Sequence, residues 1–147
     1  MTNIVNESDT DIVYPHLSEL EHERIFAYFR QIANMVGTPR WVLRLATDPS
    51  DEGTCAQIRM NEDRYFATLK VCADWMDLPT SEKQNTIIHE VCHLLFHRLD
   101  HVVDDVVNLM HDHEYEKVRD AYSREVELIV DQLSVTLQDH APAWPAA

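Results

Sequence analysis

Two glycines, Gly37 and Gly53, serve the whole 147-residue chain. Gly-rich phosphate loops of the Rossmann or P-loop kind have nowhere to form, and no Gly-x-Ser-x-Gly elbow carries a serine nucleophile. Positive charge is scarce too: 12 Lys and Arg stand against 26 Asp and Glu, a formal net charge of −14. Such a surface is a poor match for a phosphate backbone, so nucleic acid is not an expected partner. The cysteines number three, Cys55, Cys72 and Cys92, with no Cys-x-x-Cys pair. An odd, dispersed set excludes a Cys-rich zinc knuckle and fits reduced thiols better than a disulfide framework. No apolar run approaches the length of a membrane span, and the opening "MTNIVNESDTD" is acidic where a secretory signal is basic. These absences predict a soluble cytoplasmic protein without a membrane partner.

The length suits one compact domain with its own core, and no internal repeat divides it. Residues 1–14 read as an acidic flexible arm, 15–140 as a single domain and 141–147, "APAWPAA" without its preceding histidine, as a flexible tail. From Pro15 to Val36 apolar residues recur near the helical period, and "GTP" at 37–39 ends that helix. Three alternating runs follow, at 41–47, 55–60 and 64–72, separated by the turn signals "DPSDEG" and "NEDR". They predict a small antiparallel meander. Ser81 with Gln84 has the form of a capping box and would start a second helix near residue 82. A last helical pattern covers about 113–139. The expected class is α+β: an N-terminal helix, a small three-stranded, mostly antiparallel sheet, then two helices.

The second helix carries "NTIIHEVCHLLFHRLDH", residues 85–101. Four residues turn a helix by about 400°, so His89 and His93 share a face one turn apart and can reach one ion. Glu90 lies about 100° round from His89, placed to touch a water on that ion as a general base. Ile88, Val91, Leu94, Leu95 and Leu99 fall on the opposite arc, the expected core face. His89, His93 and His97 together span about 12 Å of helix axis, too far for one ion. His97, on the side of Glu90, either lines the cleft or takes a solvated or capping role. The glycine and third histidine of the metzincin pattern are replaced by Phe96 and Leu99, which excludes that class. Cys92 faces away from the histidines, as a small core residue does.

A catalytic zinc takes three protein ligands and keeps a fourth position for water. The last helix offers "YSREVELIVDQLS", residues 122–134. Glu127 and Asp131, four apart, share a face, so Glu127 would bind the metal while Asp131 accepts from the far nitrogen of His89. A wheel centred on Val118, Tyr122, Ile129 and Leu133 instead puts Glu125 on the apolar side and Glu127 opposite. The two acids therefore compete for the role, and Glu127 with Arg124 also reads as an ordinary surface pair.

"HEVCH" followed some thirty residues later by "EVELIVD" resembles the gluzincin zinc metallopeptidases, whose signature is His-Glu-x-x-His with a downstream Glu and an Asp or Asn one turn on. The likeness is greatest to minimal, zincin-like domains of the metallopeptidase type encoded by phages and prophages, and it covers most of residues 41–137. The resemblance implies one Zn2+ on His89, His93 and Glu127, Glu90 as base and Asp131 as outer acceptor. It also implies a peptide or protein substrate held along the third strand, Tyr65–Cys72. Tyr122, Tyr115, Arg119, His111 and His113 are all candidates to stabilise an oxyanion, with Tyr122 and His97 the expected cleft residues. The rival expectation is a metal-stabilised peptide-binding or regulatory module of the same fold without catalysis.

Overall fold

A computed structural model describes residues 14–61, 64–110 and 113–146. The arm expected at 1–14 therefore falls, apart from Tyr14, outside the described residues. The element order is α1 (Glu19–Met35), β1 (Val42–Leu45), β2 (Ala56–Asn61), β3 (Phe66–Val71), a 3-10 turn at Trp75–Asp77, α2 (Thr80–Asn108) and α3 (Glu114–Gln138). This is the α+β class, three helices on a small sheet.

Helix α1 starts four residues later than its apolar period suggests, because Ser18 caps it. The Ser18 hydroxyl accepts from the Glu21 N–H at 3.1 Å, satisfying one of the free donors of the first turn. Gly37, at φ 83°, ends the helix in the left-handed conformation that only glycine takes without strain. Ile25, Tyr28, Phe29 and Ile32 form its buried stripe.

The sheet corrects the expected meander. Its order is β1-β3-β2, with β1 parallel to β3 and β2 antiparallel to it. The ten residues 46–55 between β1 and β2 are long enough to pass the end of β3, so nothing forces β1 and β2 to be neighbours as a tight hairpin would. Before turning away, this link keeps bonding to β3: Ala46 N–H to the Leu69 carbonyl at 2.9 Å and Ser50 N–H to that of Val71 at 3.0 Å. The centre goes to the strand with most to bury, for Ala67, Leu69 and Val71 are essentially inaccessible.

Helix α2 begins at Thr80 behind Pro79, with no side-chain cap, so the Ser81–Gln84 capping box does not form. The Gln84 amide instead donates to the Pro142 carbonyl at 3.2 Å, which also accepts from the Tyr28 hydroxyl at 3.0 Å. These bonds hold the C-terminal segment, and Trp144 lays its ring against Tyr28 and Trp75 with centroids 5.0 and 6.2 Å away. Residues 141–146 are thus docked on the core where a loose tail was expected. Ile87, Ile88, Val91, Cys92 and Leu94 of α2 are buried, but Leu95 and Leu99 are 43% and 48% exposed, so the expected core face ends at Leu94. The sheet and α1 cover only the first half of this 29-residue helix.

One buried acid had no sequence signal. Glu21, 1% exposed, accepts from Lys83 Nζ at 2.8 Å, Trp75 Nε1 at 3.1 Å and Arg24 at 3.2 Å, tying α1 to the 3-10 turn and the start of α2. No helix among the described residues is long and apolar enough to cross a membrane.

Candidate metal centre

The front of α2 and the flank of α3 meet at three side chains. His89 Nε2 and His93 Nε2 lie 3.2 Å apart. Glu127 Oε2 is 3.5 Å from the first and Oε1 3.3 Å from the second. Among the described residues this is the group of His, Cys, Asp and Glu whose ligand atoms converge closely enough to hold a metal ion. Helical spacing brings the imidazoles together, and the packing of α3 delivers the acid.

Val126, Val130 and Ser134 are the buried line of α3, and Glu127 and Asp131, each following a buried valine, reach the histidines of α2. Val118 and Ile129 are 38% and 42% exposed, so the wheel centred on them is displaced by about one residue. That displacement moves Glu125 to solvent, outside the cluster, and Glu127 into it. Glu127 thus faces two imidazoles. Asp131, one turn on, places Oδ1 3.2 Å from His89 Nδ1.

Glu90 is 7% exposed beside this cluster. Burial raises its pKa to about 7, the Glu127 charge adds to the rise, and a hydrogen bond from the Ile58 backbone N–H opposes it. Burial also lowers the His93 pKa, with Glu127 pulling the other way. A neutral His93 keeps a lone pair for a cation.

A cleft of about 430 Å³ opens in front of the cluster, walled by β2 from Ala56 to Met60 on one side and by His89, Glu90, His93 and Glu127 on the other. The wall is β2, not the third strand, which is the sheet centre and already paired on both edges. The Cys72 N–H bonds to the Cys55 carbonyl, which fixes the alternation along β2. Cys55, Gln57 and Arg59 turn their backbone groups to β3, leaving those of Ala56, Ile58 and Met60 on the free edge. The Ile58 bond to Glu90 agrees with that phase. Arg59, to which the sequence pattern assigned no role, lines the same cleft.

The other expected cleft residues separate. His97 is 9% exposed, and its ring stands edge-on to Trp41 at 4.8 Å and to His101 at 4.9 Å. It is buried against Trp41, just ahead of β1, and does not line the cleft. Tyr122 donates to Asp100 Oδ1 at 2.6 Å and lines, with His93, Glu127 and Arg119, a second cavity of about 250 Å³ between α2 and α3. Arg119 is paired to Asp104 at 3.1 Å and Tyr115 to Glu116 at 3.2 Å, while His113 precedes α3 and His111 falls outside the described residues. Cys92 is inaccessible, its thiol pKa raised by burial to about 11. It packs as a small apolar residue.

Comparison with protein-family models, with curated proteins and with solved structures finds no match.

Proposed function

We propose that the protein is a zinc-dependent metallopeptidase acting on extended peptide segments. The observation that carries the reading is the convergence of the donors of His89, His93 and Glu127. A tetrahedral zinc with ligands at about 2.0–2.1 Å sets neighbouring donor atoms roughly 3.3–3.4 Å apart. Here the two imidazole Nε2 atoms are 3.2 Å apart, and each has its own Glu127 oxygen near it, Oε2 at 3.5 Å from His89 and Oε1 at 3.3 Å from His93. Two imidazoles and one carboxylate are a donor set used by catalytic zinc, whereas a structural zinc closes its shell with four protein ligands. The side left open faces the cleft.

A bound zinc would supply a Lewis acid that makes a water nucleophilic near neutral pH. Glu90 provides the proton chemistry. Its carboxylate takes a proton from the water as oxygen bonds to the amide carbon, then passes that proton to nitrogen as the C–N bond breaks. A carboxyl raised toward 7 by burial is suited to both halves of that exchange. The free edge of β2 offers the Ala56 and Met60 backbone groups and the Ile58 carbonyl to a substrate strand, which brings the scissile bond across the donors. An extended backbone, not a deep side-chain pocket, is what this cleft recognises.

The test is cleavage of casein and of a mixed peptide library by zinc-loaded wild type and Glu90→Gln. The wild type is expected to cut, and the variant to bind zinc equally while losing at least about a hundredfold in rate. Zinc binding with no cleavage of any peptide would favour a non-catalytic binding module.

A further inference from the structure

The second half of α2, with its C-cap Leu109, carries an apolar stripe that no other part of the described chain covers. Leu95, Leu99, Val102, Val106 and Leu109 are 43, 48, 57, 52 and 81% exposed. Their spacing is four, three, four, three, the period at which two helices pack side by side in a coiled coil. At 100° per residue all five lie within about 40° of one direction. Ile88, Val91 and Cys92 continue the same face toward the N-terminus, where α1 and the sheet bury them. The stripe is therefore a core face that outruns its domain.

From this stripe we infer that the protein forms a two-fold antiparallel dimer through the second half of α2. A heptad seam is self-complementary, so a second copy of the same chain fits it without any other partner. The orientation follows from what covers the first half of the helix. In a parallel pair the two domain bodies would sit at one level on the same face and collide. In an antiparallel pair each body lies beyond the end of the other helix, and Leu99 of one copy meets Val102 of the other.

Charge complementarity supports the same register. Arg98 and Asp105, both exposed, flank the stripe on one side, about 60–80° from its centre. When Leu99 faces Val102 of the second copy, Arg98 comes within two residues, about 3 Å along the axis, of Asp105 of that copy, a gap these side chains span, and symmetry makes the pair twice. A parallel pair lacks this match, because like positions then lie at equal height. The opposite flank, Phe96, Val103 and Met110, is half-buried against the chain itself. The seam leaves the metal cluster uncovered, since His89 and His93 meet Glu127 of α3 and line the cleft beside β2.

Sedimentation equilibrium of the full chain at about 100 µM tests this. The expected mass is twice the chain's 17.1 kDa. The double variant Leu99→Glu/Val102→Glu should sediment at the single-chain mass with an unchanged circular-dichroism spectrum at 25 °C, because both side chains are exposed in the single chain. Arg98→Asp alone and Asp105→Arg alone should each weaken the dimer about tenfold, and the two together should restore it to within about threefold of wild type. A monomeric wild type at that concentration overturns the inference. So does a dimer that survives the double glutamate substitution, or one indifferent to the charge reversals.

Discussion

Asp131 Oδ1 sits 3.2 Å from His89 Nδ1, on the side of the ring opposite Glu127. An ionised carboxylate only accepts, so the ring proton belongs on Nδ1 and the Nε2 lone pair points at His93 and Glu127. Without a cation, that lone pair and the Glu127 carboxylate repel each other. The relationship holds one tautomer ready for a metal.

Asp131→Ala should therefore weaken zinc binding by about 10–100-fold, while Asp131→Asn, which keeps an acceptor, loses less. The side chain is 65% exposed, so stability should barely change. Competition with a chromophoric chelator measures the affinities. Equal affinity in all three proteins would show that Asp131 does not orient the ring.

Glu21 is the most consequential buried charge away from the metal cluster. Glu21→Ala would strand Lys83, whose side chain is 9% exposed, together with the Trp75 indole N–H. The expected loss is about 3–5 kcal/mol, the range for breaking a buried pair on one side. Urea unfolding of the two proteins at neutral pH measures it. A loss under about 1 kcal/mol would mean the three donors find other partners.

The same residue sets an acid limit. Burial opposes ionisation of Glu21, but the hydrogen bonds from Lys83 and Arg24 and the Lys83 charge outweigh it, leaving the pKa below its ordinary 4.5. The unfolded chain then binds the proton first as pH falls. The stabilisation is complete above 4.5 and is lost as pH drops through the lower, folded value. Between about pH 5 and 3, wild type should lose stability more steeply than Glu21→Gln. Parallel curves would remove Glu21 from the acid transition.

Trp144 closes the domain against Tyr28 and Trp75. Trp144→Ala should cost about 2 kcal/mol, less than a fully buried Trp because the ring is half-exposed. Thermal melting checks this, and an unchanged melting temperature would mean the tail is not part of the core.

The two helical motifs were legible because periodicity acts at short range. His89, Glu90 and His93 are placed by one helix, and Glu127 with Asp131 by another, so spacing alone fixes which residues share a face. What spacing leaves open is which face of α3 turns inward. Val118, Ile129 and Leu133 outweigh Val126 and Val130 by hydrophobicity, yet the valines at 126 and 130 are buried while Val118 and Ile129 stay exposed. Long-range choices were less visible still. Strand order depended on where ten linking residues crossed, Gln84 was claimed by Tyr28 and Pro142 before it could cap its own helix, and Glu21 found partners 54 and 62 residues away.

Zinc content of dialysed protein, measured by elemental analysis for wild type, His93→Ala, Glu127→Ala and Glu125→Ala, bears most directly on the metal centre. One zinc per chain should remain in wild type and Glu125→Ala and vanish from the other two. Zinc retained by Glu127→Ala, or bound by none of the four, would contradict a site built on His89, His93 and Glu127.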